Sequence, residues 1–324
     1  MRAVVCSTLG PPEALEVQEL PDPAPGPGQV LIDVQAAGVN FPDTLIIEGR
    51  YQFKPDPPFV PGGEASGVVI AVGEGVDGIA AGDRVISVGT HGHFATRLVS
   101  DARTVVPFPH EMDPVTASGF VLTYLTSHYA LRDRAGLQAG ETLLVLGAAG
   151  GVGLATVEIG KAMGARVIAA ASSPAKLAVC AEHGADELLD YASEDLKARL
   201  SELTDGRGVD VVYDPVGGVY SEQALRRMAW GGRFLVIGFA AGEIPHIPLN
   251  LTLLKSCSII GVFWGAFSMR EPERNRALLE ELFDWYREGK VRPLVSATYP
   301  LERAAEALRE ITERRARGKI VLIP

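Results

Sequence analysis

Residues 142–153 join a short apolar run to a small-residue turn and then to a helix-patterned stretch, and no other segment narrows the fold as far. Thr142-Leu143-Leu144-Val145-Leu146 reads as a buried strand, Gly147-Ala148-Ala149-Gly150 as a turn, and Gly151-Val152-Gly153 as the opening of a helix. Such a turn lets backbone approach a pyrophosphate, whose charge rests on the helix N-terminus. Against the pattern Gly-x-Gly-x-x-Gly, Ala148 stands at the first glycine position, with Gly150 and Gly153 at the other two. Close helix–strand packing explains an isolated turn of this kind equally well, so its surroundings decide.

Those surroundings are a regular alternation. A helix is predicted over Asp113–Ala130, with Asp113 as N-cap and Pro114 at the first helical position. Strands are then predicted at Thr142–Gly147, Arg166–Ala171, Glu187–Asp190, Val209–Asp214, Arg233–Gly238 and Ser258–Phe263. Helices at Gly151–Met163, Pro174–His183, Glu194–Leu203 and Tyr220–Met228 fall between them. Near-continuous apolar strands joined by helices imply a parallel sheet covered on both faces, hence a doubly wound α/β fold.

The first hundred residues differ. Short apolar runs (Arg2–Cys6, Val30–Ala37, Gly67–Val72, Arg84–Val88, Ala95–Val99) are divided by proline- and glycine-rich turns such as Pro21–Gly28 and Pro55–Pro58, which suggests a small barrel or sandwich. Two amphipathic helices, Glu271–Glu288 and Leu301–Arg314, precede a last strand, Lys319–Ile323, that needs a sheet to join. The β-rich part is its natural host. The expected division is therefore a domain of residues 1–122 with 265–324, and a second of residues 123–264.

At the end of the second strand of the α/β series, an enzyme using the unphosphorylated dinucleotide carries Asp or Glu for the ribose hydroxyl. Here Ser172, Ser173 and Lys176 stand instead, a hydroxyl pair and a cation that suit a 2′-phosphate and favour NADPH. The same residues also read as a plain helix start, Ser173 capping and Pro174 first in the helix.

Composition excludes other classes. Lys and Arg number 30 against 40 Asp and Glu, a net charge of −10, so phosphate neutralisation by clustered cations is not expected and nucleic acid is no partner. Three isolated cysteines (Cys6, Cys180, Cys257) make neither a disulfide framework nor a cysteine zinc knuckle. No apolar run is long enough for a membrane span, and the start Met1-Arg2-Ala3-Val4 lacks a signal peptide's apolar core, so a cytoplasmic location is expected. His91 and His93, without a third ligand, read as parts of a polar loop.

With these segments in view, the chain resembles the medium-chain dehydrogenase/reductase superfamily, and within it the zinc-free quinone oxidoreductase branch. The resemblance spans essentially the whole chain. It rests on Ala37-Gly38-Val39-Asn40-Phe41-Pro42-Asp43, Pro61-Gly62-Gly63-Glu64-Ala65-Ser66-Gly67, Gly82-Asp83-Arg84-Val85, the Ala148–Gly153 turn, Val212-Tyr213-Asp214-Pro215-Val216-Gly217-Gly218 and Gly318-Lys319-Ile320-Val321-Leu322. It implies a Rossmann NADP-binding domain beside a β-rich, GroES-like catalytic domain built from both chain ends.

Zinc-dependent members of the superfamily have Cys where this chain has Asn40, His where it has Gly63, and Cys near Leu122. Glu64 alone cannot make a site that wants three protein ligands, so no metal is expected. Without a Lewis acid, an acceptor that supplies its own electron sink is the feasible one. The resemblance thus implies NADPH-dependent hydride transfer to a quinone or related conjugated carbonyl. A 2-enoyl thioester reductase, or a non-catalytic NADPH-binding protein, stands as the alternative.

By the same resemblance, Asn40 and Tyr51 would serve catalysis, Asn40 as hydrogen-bond donor and Tyr51 as proton donor. Thr123 and Tyr124 would join Tyr51 at the substrate. Asn40, Asp43, Thr126, Gly150, Gly151, Val152, Ser172, Lys176, Tyr191, Gly238, Phe239, Phe263 and Arg317 would hold the cofactor. A homodimer is implied, pairing through Ser258–Phe263.

Overall fold

Gln29–Val39, at 11 residues the longest strand of the chain, organises the first of two units. In the computed structural model, which describes residues 1–324, residues 1–122 and 293–324 form one unit and residues 123–292 the other. The first begins with β1 (Arg2–Cys6), β2 (Leu15–Glu19), β3 (Gln29–Val39), α1 (Phe41–Ile47), β4 (Glu64–Val72), β5 (Arg84–Val88), β6 (Arg97–Asp101), β7 (Val105–Pro107) and α2 (Pro114–Ala117). The division falls inside α3 (Val121–His128).

The second unit adds β8 (Thr142–Leu146), α4 (Gly151–Ala162), β9 (Arg166–Ala171), α5 (Pro174–Glu182), β10 (Glu187–Asp190), α6 (Leu196–Leu203) and β11 (Val209–Asp214). It continues with α7 (Val219–Leu225), β12 (Met228–Val236), α8 (Asn250–Lys255), β13 (Ser258–Gly261), α9 (Trp264–Arg270) and α10 (Pro272–Arg287). The chain then returns to the first unit with β14 (Val295–Pro300), α11 (Ala304–Thr312) and β15 (Lys319–Ile323).

In the first unit the strands run β14-β15-β3-β4-β5-β7, with β6 also on β3. The closing strand joins the β-rich part as its composition required: β15 lies parallel to β14 and antiparallel to β3, Ile320 opposite Val39 and Val321 opposite Gly38. On the other side of β3, Glu64 at the start of β4 pairs with Gly38. This register brings Lys319, Asn40 and Glu64 to one end of three neighbouring strands. Beneath them lies a core that includes Val30, Ile32, Val34, Phe94, Leu308, Ile320 and Leu322.

The second unit is a six-stranded parallel sheet in the order β10-β9-β8-β11-β12-β13. Counted within the unit, its first strand β8 sits in the middle, β9 and β10 on one side and β11 to β13 on the other. Strand order reverses between β8 and β11, and doubly wound folds bind ligands at the carboxyl ends of strands at that point.

Three expectations are corrected. The long helix over Asp113–Ala130 is broken: α2 stops at Ala117 and α3 starts at Val121. Between them Gly119 has no room for a side chain, since a Cβ would lie 2.9 Å from Lys319 Cε. Secondly, residues 265–292 belong with the second unit, where the expected boundary at 264 assigned them to the first. The cause is α10, whose Leu278 and Leu282 are buried, while Leu278 O lies 3.2 Å from His128 Nδ1 and Arg274 pairs with Asp133 at 2.8 Å. Thirdly, α1, β2 and β14 are regular elements that apolar patterning did not mark.

Candidate active site

The glycine turn after β8 closes through Gly147 rather than Ala148. Gly147 takes the left-handed conformation, φ +60°, and its carbonyl accepts from Gly150 N at 3.0 Å. Gly153 permits close approach: a Cβ there would lie 2.2 Å from Gly147 O. No side chain caps α4 at Gly150, so its first amides, among them Gly151 and Val152, keep the polarity that favours an anion. From α3, the Ser127 hydroxyl donates to Val152 O at 3.0 Å and lies 3.1 Å from the Tyr213 hydroxyl on β11. Thr156 donates to the same Val152 carbonyl at 2.7 Å. This buried hydroxyl cluster holds the start of α4 in place, and the apolar-pattern reading passed over it. Thr126, beside Ser127 on α3, is half-buried.

At the end of β9, Ser172 accepts from Lys176 Nζ at 3.1 Å. Tyr191 N donates to Ala171 O at 3.1 Å, bringing Tyr191 beside the same strand end, where its ring packs on Tyr220 with centroids 4.5 Å apart. The three expected 2′-phosphate residues are thus gathered at one strand terminus. Ser173 is the N-cap residue of α5 by position but makes no side-chain cap, so the plain helix-start reading is only half realised.

The loops after β11 and β12 are tied together on the same rim. Asp214, buried, accepts from Val216 N at 2.8 Å, Gly217 N at 2.9 Å and the Ser221 hydroxyl at 2.5 Å; burial pushes its carboxyl up. Gly238 N and Ala240 N donate to Asp214 O and Pro215 O. A Cβ on Gly217 would lie 3.0 Å from the Phe239 ring, and one on Gly147 would lie 2.8 Å from Val216. Gly238 and Phe239 therefore stand beside the glycine turn. Phe263, at the start of α9, is 48% exposed.

In the first unit the decisive residue is one the resemblance assigned no role. Lys319 is only 4% exposed and Glu64 not at all. Lys319 Nζ donates to Val39 O at 3.0 Å, Asn40 Oδ1 at 2.6 Å and Glu64 Oε1 at 2.9 Å. An ammonium only donates, so it fixes which way the Asn40 amide faces. The Asn40 nitrogen is then committed to Glu64 Oε1 at 3.0 Å and Gly38 O at 3.2 Å. Asn40 has no spare amide hydrogen for a substrate oxygen, against its expected part as donor. Glu64 Oε2 accepts from Leu122 N at 3.1 Å.

Asp43, in the first turn of α1, accepts from Asn40 N at 2.7 Å. Burial pushes its carboxyl up to about 7, with backbone hydrogen bonds and the Lys319 ammonium opposing. Burial, then the Asp43 charge, also raises the half-buried Tyr51 phenol.

Other expected residues lie elsewhere. Tyr124 is buried and its hydroxyl donates to Glu158 at 2.6 Å, a core arrangement in place of the expected substrate contact. Thr123 is buried one residue before it. Arg317 is exposed, two residues from the buried lysine that carries the geometry. His93 leaves the polar loop for the core, its Nδ1 2.9 Å from Gly62 O and Nε2 3.1 Å from the Ser87 hydroxyl, whereas His91 is exposed. Burial lowers His93 to about 4.

Comparison with known proteins shows the chain's family. Residues 26–110 match the family description "Alcohol dehydrogenase GroES-like domain" and residues 151–284 match "Zinc-binding dehydrogenase". The chain is 39% identical to the Nematostella vectensis "Quinone oxidoreductase-like protein 2 homolog", over 99% of this chain and 88% of that protein. It is 36% identical to the Pseudomonas aeruginosa quinone oxidoreductase, over 98% of each. This chain belongs to the quinone oxidoreductase branch of the medium-chain dehydrogenase/reductase superfamily. Among solved structures, the Escherichia coli quinone oxidoreductase complexed with NADPH aligns with a TM-score of 0.95 at 30% identity, covering both chains in full.

The matched family's name includes a metal, but the residues here do not fit one. Of the positions that zinc-dependent members use, Gly63 has no side chain to ligate with, the Asn40 oxygen accepts from the Lys319 ammonium, and Leu122 offers only a backbone amide that donates to Glu64. No three His, Cys, Asp or Glu side chains converge anywhere in the chain. A second cation at this spot would meet a buried positive charge. No helix is long and apolar enough to cross a membrane.

The raised Asp43 carboxyl has a stability consequence. The folded chain keeps a proton that the unfolded chain releases, so this group's contribution is present at low pH and lost as pH rises from its ordinary range toward about 7. Asp43→Asn cannot titrate. Urea midpoints measured from about pH 4 to pH 7 should move in favour of Asp43→Asn as pH rises; a constant difference would contradict the buried-carboxyl assignment.

Proposed function

We propose that the chain is an NADPH-dependent reductase of quinones and related conjugated carbonyls that works without zinc. The observation that carries this reading is the grouping of Ser172, Lys176 and Tyr191 at the end of β9, beside the switch-point turn, with no carboxylate in the ribose position. Two hydroxyls and a cation suit a 2′-phosphate, which a carboxylate would repel. Similar proteins point the same way: relatives are named quinone oxidoreductases, and one solved neighbour holds NADPH.

Bound there, NADPH supplies the hydride. The chain's own residues bind, orient and protonate. Gly150, Gly151 and Val152 receive the pyrophosphate on the uncapped start of α4. Gly238 and Phe239 form the rim beside the turn. Tyr51 gives a proton to the acceptor oxygen as negative charge builds on it. A phenol raised by burial gives up its proton only to a strong base, which a reduced quinone or enolate oxygen is. Asn40, its amide hydrogens already engaged, holds the entry to α1 instead of donating. A conjugated acceptor spreads the incoming charge over its own π-system, so no Lewis acid is required.

We also propose a homodimer. Strand β13 is the outer strand of the six-stranded sheet, with Ile259 40% exposed on it. Leu249, Leu253 and Leu254, on and beside α8, are exposed as well, with Leu253 at 79%. Apolar surface next to an unpaired edge suits pairing with a second copy across a two-fold axis.

Turnover decides the first proposal. NADPH absorbance should fall when a quinone is added, and a panel of quinones, enones and 2-enoyl thioesters should rank quinones first. Cofactor binding without consumption of NADPH across the panel would overturn the reductase reading. Lys176→Ala removes a charged phosphate contact worth about 1.5–3 kcal/mol, so KM for NADPH should rise about tenfold to a hundredfold while NADH kinetics stay flat; equal effects on both would remove the phosphate assignment. Light scattering should give the mass of two chains, reduced to one in Ile259→Lys, and a monomeric wild type would contradict the dimer.

A further inference from the structure

Lys319 uses all three of its ammonium hydrogens. They go to Val39 O, Asn40 Oδ1 and Glu64 Oε1, at 3.0, 2.6 and 2.9 Å. Nothing is left to donate to a substrate, so whatever Lys319 does, it does through its partners. The site is built to hold it. Gly119 lacks the Cβ that would strike its stem, and Gly38 lacks the Cβ that would lie 2.7 Å from Glu64 Oε1. One partner, Asn40, leads directly into α1 and hydrogen-bonds Asp43 through its backbone. The chain from α1 then reaches Tyr51, close enough for the Asp43 charge to act on the phenol. Two carboxylates, Asp43 and Glu64, thus share one buried ammonium at the foot of the segment that carries the proposed proton donor.

We infer that Lys319 is a positioning residue for the reduction: its ammonium sets the face of the Asn40 amide and balances the carboxylate charge at the foot of the segment that carries Tyr51. This rests on the reductase reading above and adds to it the residue that organises the substrate side. The groups that bear on Asp43 are Lys319 and Glu64, on β15 and β4, with Tyr51 beyond α1. The ammonium lowers the Asp43 carboxyl and Glu64 raises it, the ammonium having the larger effect. Removing Lys319 therefore moves the titration of Asp43 to higher pH.

The test compares wild type, Lys319→Arg, Lys319→Met and the double variant Lys319→Met with Glu64→Gln. For each, quinone kcat and KM are measured against pH at saturating NADPH, with thermal melts alongside. The double variant removes the Lys319–Glu64 pair whole, leaving Asp43 as the one buried carboxyl of the cluster, and so remains informative where Lys319→Met alone unfolds. In both methionine variants kcat should fall about tenfold or more, equivalent to about 1.4 kcal/mol of barrier, and the neutral limb of the pH profile should shift to higher pH. Lys319→Arg, which keeps the charge, should hold the limb near its wild-type position. Methionine variants that fold but keep the wild-type kcat and limb would overturn the inference, as would an arginine shift as large as that of methionine. A wild type that binds NADPH without turnover would overturn the reductase reading and this inference with it.

Discussion

The buried ion pair between Lys319 and Glu64 is the constraint on which the first unit depends. Taking two charges out of water is costly, and the pair is tolerable only because every remaining donor and acceptor is satisfied. Once made, it cannot be half-made: deleting one partner of such a pair costs about 3–5 kcal/mol. The two residues are 255 positions apart, so the pair ties the last strand to the first third of the chain. It also reaches Leu122, where the first unit ends. The break between α2 and α3 follows from it, because the lysine stem takes the space that a continuous helix with a side chain at 119 would need.

The second unit rests on a different device. Strand order reverses at β8, and the turn that leaves β8 is held by backbone geometry and hydroxyls, not by charge. Gly147 bends, Gly153 lets the helix close in, and Ser127, Thr156 and Tyr213 fix the Val152 carbonyl from behind. The amides at the start of α4 are left without a side-chain cap. A helix start that spends nothing on its own capping is suited to an external anion, and the hydroxyls and cation at the end of β9 extend that preference to a further phosphate.

Much of the second unit was legible in the residues. Strands β9, β10 and β11 fall at their expected limits because each is a short, nearly unbroken apolar run between helical stretches. Their order in the sheet follows from right-handed crossovers. Other features were hidden for physical reasons. At α1, Asn40 as N-cap, Pro42 and Asp43 make a helix start through a backbone hydrogen bond to the Asp43 carboxylate, a signal carried by spacing and not by apolar pattern. The place of α10 in the second unit depends on contacts with His128 and Asp133, more than a hundred positions earlier. Lys319 was the least visible. Nothing in a lysine at the first residue of a terminal strand marks it as buried, and Arg317, two residues before it, is exposed. Only the register of β15 against β3, and of β3 against β4, shows that Lys319 meets a carboxylate.

We propose that a protein cation, not a metal, organises the substrate side of this oxidoreductase. The most direct measurement is quinone-dependent NADPH consumption by protein whose metal content is determined before and after exhaustive chelation. The expected result is no stoichiometric zinc and an unchanged rate after chelation. A rate that falls with chelation and returns with added zinc would contradict it.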